Sequence, residues 1–339
     1  MNKIRFLNIV LIILMLEGCN SPCNSSDISL TSQAIITDSI YMRYPFRITM
    51  TDSLVYITDL HGPEYFCHVF NSDSLQHVQS FMKRGNGPNE YTDAENIRID
   101  KSGRIYVLDA NVNKIAIWNK TATDTTYRIP LSHKLIRTLD FDLINDSLLV
   151  TPDYSGKHRY HIIDCKGNII KSCQHIPVKE KTDCAGIVQA QAWRSFIDYN
   201  PDNGILAMAT QLGQVIELYD LKADTVIKII YGEQGEPRFI DNGAYAVPNG
   251  IMGYGDIHIT NNKIYALFWG MSFKDIRNNL NIKQGGNYIE VYDLTGEALY
   301  RYQLDRQITG FCIDEKHNRL LTLDINSDHP LVSYRLKTN

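Results

Sequence analysis

The sequence has no excess of positive charge. Its 34 Lys and Arg are set against 38 Asp and Glu, for a net charge of −4. That removes the electrostatic footprint a nucleic-acid partner needs. It has no apolar run long enough to span a bilayer. The first one, residues 6–16, is short and broken by Asn8. Beyond that leader, no window longer than about three turns keeps helical periodicity. Cys-x-x-Cys is missing, which leaves zinc and thioredoxin-like readings unsupported. Gly-x-Ser-x-Gly and Gly-Lys-Ser/Thr are missing too, so neither a nucleophile elbow nor a P-loop is present. His61, His133, His158, His175 and His258 do not fall at metal-ligand spacings. What remains is abundant β-forming material: 20 Tyr and many Val/Ile/Thr-rich runs.

The N-terminus is an export leader. Lys3 and Arg5 precede the short apolar core, so residues 1–18 read as a signal peptide. Leu16-Glu17-Gly18-Cys19 resembles a bacterial lipobox, with Glu17 where a small or apolar residue is usual. On this reading Cys19 is lipidated and anchors the chain to a lipid bilayer without a spanning helix. Residues 19–28 are polar and aperiodic, as a flexible tether should be. They contain no acid from Asn20 to Ser26. Of the other cysteines, Cys173 and Cys184 flank one loop and are the readiest disulfide pair. Cys67 and Cys312 sit inside strand patterns and read as buried thiols.

From residue 29 to 339 one theme repeats. Its clearest copy is Asp100-Lys101-Ser102-Gly103-Arg104-Ile105-Tyr106-Val107-Leu108-Asp109, preceded by the alternating Asn96-Ile97-Arg98-Ile99. A strand, a tight turn and a second strand make a β-hairpin. Second strands of this kind begin at Leu54, Arg104, Ser147, Gly204, Lys263 and Arg319. They lie roughly 50 residues apart, the spacing of four-stranded propeller blades. Each is flanked by strand patterns that complete a unit. First strands are expected at 46–50, 96–100, 138–143, 195–199, 256–260 and 309–314. The sixth unit runs out after its third strand, while residues 29–36 and 38–42 precede the first unit without a blade of their own. The expectation is therefore an all-β, six-bladed β-propeller with four-stranded blades, its ring closed by an N-terminal strand. The first strands line the central channel, and several carry small or uncharged side chains suited to close packing.

Strand order fixes which loops share a face. Turns between first and second strands and between third and fourth are short. Loops between second and third strands, and links between blades, are long: residues 61–65, 83–95, 153–158, 174–191, 231–253 and 270–287. Binding is expected on this long-loop face. Two links resemble each other: Lys83-Arg84-Gly85-Asn86-Gly87-Pro88-Asn89-Glu90-Tyr91 and Tyr231-Gly232-Glu233-Gln234-Gly235-Glu236-Pro237-Arg238-Phe239. Their glycines either open backbone N–H groups to a ligand or only shape the crossing between blades, with the aromatic tucked over the core.

The lipobox, the repeated hairpins and the Gly-x-Gly-Pro-x-Glu-Tyr link together resemble the TolB-like or NHL-like six-bladed β-propeller lipoproteins of Bacteroidetes. The resemblance covers roughly residues 39–336. It implies an outer-membrane lipid anchor, facing the periplasm or the cell surface; the acid-free residues after Cys19 point to the periplasm. It also implies a binding role, with a protein, peptide or glycan as partner. Expected ligand contacts are Arg84, Gly85, Gly87, Glu90, Tyr91, Trp193, Arg194, Arg238 and Trp269, since Trp and Tyr beside Arg stack on sugars or anchor peptides. The alternative is a calcium-dependent lactonase or esterase-like hydrolase. Its channel ion would be held by acids and amides drawn from Glu95, Asn96, Asp140, Asp198, Asn249 and Asp256. The binding reading, without catalytic residues, cofactor or metal, is the one carried forward.

Overall fold

The computed structural model describes residues 27–35, 40–87, 89–119, 121–136, 138–179, 183–279 and 281–336. The leader, Cys19 and the tether up to residue 26 lie outside them. Six blades form a ring, as the repeat predicts. Blade 1 is Pro45–Met50, Leu54–Asp59, Tyr65–Asn71 and His77–Lys83; blade 2 is Ala94–Ile99, Ile105–Asp109, Lys114–Trp118 and Thr125–Pro130. Blade 3 is Asp142–Asn145, Leu148–Pro152, Tyr160–Asp164 and Ile169–Cys173; blade 4 is Ser195–Asn200, Ile205–Thr210, Val215–Asp220 and Thr225–Tyr231. Blade 5 is Tyr254–Ile259, Lys263–Phe268, Gly286–Asp293 and Ala298–Ile308. Blade 6 supplies Gly310–Asp314, Arg319–Leu323 and Leu331–Arg335. Within each blade, strands consecutive in sequence pair antiparallel.

Both N-terminal stretches take part in closure. Ser32–Ala34 pairs antiparallel with Leu331–Arg335 and becomes the fourth strand of blade 6. Asp27–Leu30 runs parallel to Arg301–Leu304 and covers the outer edge of blade 5. Its first residue is fixed by a two-pronged ion pair, with Arg301 Nε and Nη2 each 2.9 Å from the Asp27 carboxylate. Asp27 and Ile28, expected in the tether, are thus part of a blade edge. An edge that would present unpaired N–H and C=O groups is instead paired.

The core explains why second strands were the easiest to mark. Ile105–Asp109 and Ile205–Thr210 are buried at every position, because neighbouring blades cover both faces of the inner strands. Such strands read as continuous apolar runs rather than alternations. The outer strands, such as Ile169–Cys173, are largely open to solvent. Buried apolar side chains form one cluster in each of the six gaps between neighbouring blades. Each fully buried aliphatic there contributes roughly 1.5–3 kcal/mol.

Polar pairs pin the gaps as well. Between blades 3 and 4, Arg159 lies 2.6 Å from Glu217 with both side chains fully buried, and Tyr219 Oη donates to the same carboxylate. Between blades 4 and 5, Gln214 Nε2 donates to Glu290 at 2.8 Å, joined by Tyr254 and Tyr292. Each pair joins the residue just before one blade's third strand to a Glu inside the next blade's third strand.

Two expectations are corrected. The first strand of blade 3 begins at Asp142, not 138, because Asp140 turns into the channel and its carbonyl takes the Thr151 hydroxyl at 2.9 Å instead of a ladder bond. Cys173 and Cys184 form no disulfide with each other, and Cys67, Cys165 and Cys312 are free thiols. Cys173 is buried in the gap between blades 3 and 4, whereas Cys184 is half-buried on the loop just before the Gly186–Ala192 helix.

Candidate functional site

The channel carries charge, contrary to the expected lining of small or uncharged residues. First strands present side chains alternately to either face, and here the inward positions are Arg47, Arg98, Asp140, Asp142, Asp198, Asp256 and His258. Arg47 bridges Asp140 at 3.0 Å and Asp256 at 2.7 Å, joining blades 1, 3 and 5 across the axis. Arg98 lies 3.1 Å from Asp142, 3.6 Å from Asp140 and 3.9 Å from Asp198. The carboxylates also accept backbone N–H groups from the next blade. Asp140 takes Ile197 N at 3.0 Å, Asp142 takes Tyr199 N at 2.9 Å, and Asp198 takes Ile259 N at 2.7 Å. Asn96 donates its amide to Asp140.

These contacts set the protonation of the channel. Burial pushes Asp142 up to about 7 against the pull of Arg98, with Asp198 adding to the rise. Burial alone would also raise Asp256, but His258 and Arg47 outweigh it and hold that carboxyl below the usual range. Burial disfavours charge on His258, yet Asp256 beside it raises the imidazole above its ordinary value. The excess of buried acid is thus offset by two guanidiniums and by the upward shifts of Asp142 and His258, both of which favour the protonated form.

This arrangement does not fit a calcium site. Asn96, Asp140, Asp198 and Asp256 do meet in the channel, but arginines stand between the carboxylates and amides occupy their remaining lone pairs. A calcium ion needs six to eight oxygens turned toward one point. Asn249 lies elsewhere, in an open cleft with Arg238, and Glu95 sits at a β-bulge between Ala94 and Asn96. Among the described residues, no group of three or more His, Cys, Asp or Glu is arranged to hold a metal ion.

Above the Arg47 layer the channel widens into a funnel on the long-loop face. Its cavity has a volume of about 260 Å³. The wall comes from blade-to-blade links and loops between second and third strands, which supply Tyr44, Tyr154, Arg194, Gln211, Met252 and Trp269, and from the starts of first strands, which supply Phe46, Phe196 and Tyr254. The floor is Arg47, whose guanidinium lies 4.4 Å from the centre of the Phe196 ring. Gly255 lets the Trp269 indole pack close, since a Cβ there would sit 2.2 Å from Nε1. Arg194 points its guanidinium at the Tyr154 ring, 5.8 Å away, and none of its side-chain nitrogens has a hydrogen-bond or carboxylate partner among the described residues.

Of the expected ligand contacts, the structure brings Arg194 and Trp269 together in this funnel. It places the others differently. Arg84 donates to Leu60 O at 2.6 Å and Gly62 O at 2.9 Å, and its guanidinium stacks 3.7 Å from the Phe66 ring. Gly85 approaches Glu90 so closely that a Cβ would overlap its carboxylate, and Glu90 in turn accepts Gly87 N at 2.9 Å. Burial opposes ionisation of Glu90 less than the Gly87 amide favours it, so its carboxyl is held below the usual range. Tyr91 is 1% exposed and accepts the Trp118 indole N–H at 2.7 Å. This link is closed on itself and seals the gap between blades 1 and 2. Trp193 is also 1% exposed, in a satellite core with Val215. Arg238 is exposed in the separate cleft with Asn249.

Tyr44, Phe46, Arg47, Tyr154, Phe196 and Gln211 were missed. A signal existed: Phe46, Phe196 and Tyr254 are aromatics at or beside the first residue of a first strand, in three different blades. A further cluster has the composition of a catalytic triad. Ser172, His161 and Asp153 line up, with Ser172 Oγ 2.9 Å from His161 Nδ1 and Asp153 3.4 Å from Nε2. Blade 1 repeats the Ser–His contact at the matching register, Ser80 to His68 at 2.8 Å. Repetition on outer strands, away from the funnel, marks it as strand-to-strand bracing.

Solved structures share this ring. An exported-protein candidate of Bacteroides fragilis matches 92% of this chain and 100% of its own, at 15% identity and a TM-score of 0.57. A DUF4221-family member from Bacteroides vulgatus matches 91% and 96%, at 11% identity and a TM-score of 0.58. Virginiamycin B lyase from Staphylococcus aureus matches 91% and 90%, at 14% identity and a TM-score of 0.51. At such identities these likenesses carry the fold alone. No curated protein matches the chain. Residues 24–316 match the TolB-like 6-blade propeller-like family, and the chain belongs to it.

Proposed function

We propose that the chain is an exported binding propeller, anchored in the outer membrane through lipidated Cys19, whose funnel receives an end group of a protein, peptide or glycan. The observation that carries this reading is the funnel itself: an aromatic-walled cavity on the long-loop face with one guanidinium left unpaired at its side. Pockets of mixed aromatic and sparse polar lining are the usual form of ligand sites. The Bacteroides relative described for export supports the location, as does the leader in the sequence. The arginines set among the channel carboxylates favour the binding reading over a hydrolase that needs a channel ion.

Arrays of envelope glycans and peptides, probed with the native chain and with Trp269→Ala, test the reading. Native binding that drops at least tenfold in the variant supports it. Equal binding by both proteins, or none by the native chain, overturns it. Palmitate labelling tests the anchor: label should enter the native chain and vanish in Cys19→Ser.

A further inference from the structure

The funnel has a surplus of one kind of polar group. Arg47 Nε, Arg194 Nε and Trp269 Nε1 are all donors, and all are buried without an acceptor. Buried donors without partners are rare and each calls for an explanation. Leaving one unpaired costs about 1–3 kcal/mol. Three in the lining of one cavity concentrate positive potential where water screens it least.

The formal charges point the same way. The Arg47 charge is matched by Asp140 and Asp256 beneath it. The Arg194 charge is matched by nothing among the described residues. The one carboxylate in the lining, Asp140, spends its oxygens on Arg47, Asn96, Ile197 N and Phe141 N. The three buried atoms are closed off from a ligand, so the donors within reach are the Arg194 Nη groups, which bond to nothing among the described residues, and an anion is their best acceptor. A guanidinium prefers a planar carboxylate, which takes two parallel N–H bonds.

Size and shape narrow the class. A cavity of 260 Å³ holds about nine waters' worth of volume. That fits one ring and one small substituent. The floor is closed by the Arg47 layer, so the group enters as an end and does not thread through. Tyr44, Phe46 and Trp269 are the half-buried rings of the lining, while the Gln211 amide offers one donor pair and one acceptor.

We propose that the funnel takes a carboxylate carried on a single six-membered ring, with Arg194 as its counter-charge and the aromatic wall as the ring's platform. This rests on the funnel being the binding site. The carboxylate can come from an acidic sugar at the end of a glycan or from an aromatic acid.

Calorimetric titration of the native chain with four probes tests it: glucuronate against glucose, and benzoate against benzyl alcohol. Each carboxylate should bind about tenfold or more tighter than its neutral counterpart. The stronger of the two carboxylates identifies the source. In Arg194→Gln the preference should collapse to about twofold or less, with the thermal midpoint as in the native chain. Arg194→Lys should restore part of the preference, because charge returns without the planar fork. Neutral probes that bind as tightly as the acids overturn the carboxylate claim and leave the funnel as a binding site. Failure of all four probes to bind overturns the claim, and if Trp269→Ala also leaves the array binding unchanged, the funnel reading falls with it.

Discussion

Arg47 and Arg194 line the same cavity in opposite surroundings. Arg47 is 7% exposed, gripped by two carboxylates and stacked on Phe196. Among the described residues, the Arg194 guanidinium meets only an aromatic ring. The first arginine neutralises buried acid and ties three blades together. The second leaves positive charge in a recess that has no structural use for it. Buried ion pairs are costly to break because the surviving partner is stranded in low dielectric. An unpaired guanidinium at the rim has no such partner to strand. The contrast separates the part of the channel that holds the ring from the part free to hold something else.

The sharpest break of that contrast is Asp140→Ala. It removes the acceptor of Arg47, Asn96 and the Ile197 amide together, and should destabilise the chain by about 3–5 kcal/mol in urea unfolding. A loss below about 1 kcal/mol would show that the channel charges are not a structural unit. Trp269→Ala should cost less, about 2 kcal/mol, since the indole is only half-buried. Its ligand affinity should nonetheless fall at least tenfold.

The next effect is one of pH. The folded chain keeps a proton on Asp142 up to about pH 7, whereas the unfolded chain releases it near the ordinary aspartate value of 3.8. The folded state therefore binds more protons across that window. Native stability measured relative to Asp142→Asn should fall as pH rises from about 4 to 7 and level off above. Thermal midpoints of both proteins across that range check it; a difference that grows with pH would contradict the assignment. The smallest effect is Arg194→Gln, expected within about 0.5 kcal/mol of the native stability in either direction. A loss of several kcal/mol there would make Arg194 a second Arg47 and dissolve the contrast.

Much of the fold was legible because it rests on local pattern. Strands such as Ile205–Thr210 announce themselves as unbroken apolar runs, and the turns between them carry Gly, Asn and Asp. The unfinished sixth unit and the spare N-terminal strands implied closure. The channel was not legible, because its pairs are distant in sequence: Arg47 and Asp256 are 209 residues apart. Nothing in either neighbourhood announces the other. The funnel was half legible. Arg194 and Trp269 stood out as an Arg and a Trp on long-loop segments, but Tyr91 and Trp193 look the same in sequence and are core. Phe46 and Phe196 were hidden for the reverse reason, since an aromatic at the start of a strand reads as packing. The Gly-rich link at 83–91 was the most distinctive motif. Its distinction lies in closing a blade crossing: Glu90 caps Gly87 and Tyr91 fills the gap beneath.

The three tryptophans give the most direct test of the central claim, that the funnel is the binding site. Trp118 is bonded to Tyr91 between blades 1 and 2, Trp193 is buried in the satellite core, and Trp269 walls the funnel. Their indole N–H resonances can be followed in ¹⁵N-labelled protein during titration with glucuronate and then benzoate. The account predicts that the Trp269 resonance shifts in a saturable way while those of Trp118 and Trp193 stay fixed. A Trp269 resonance that stays fixed while another indole moves would contradict it.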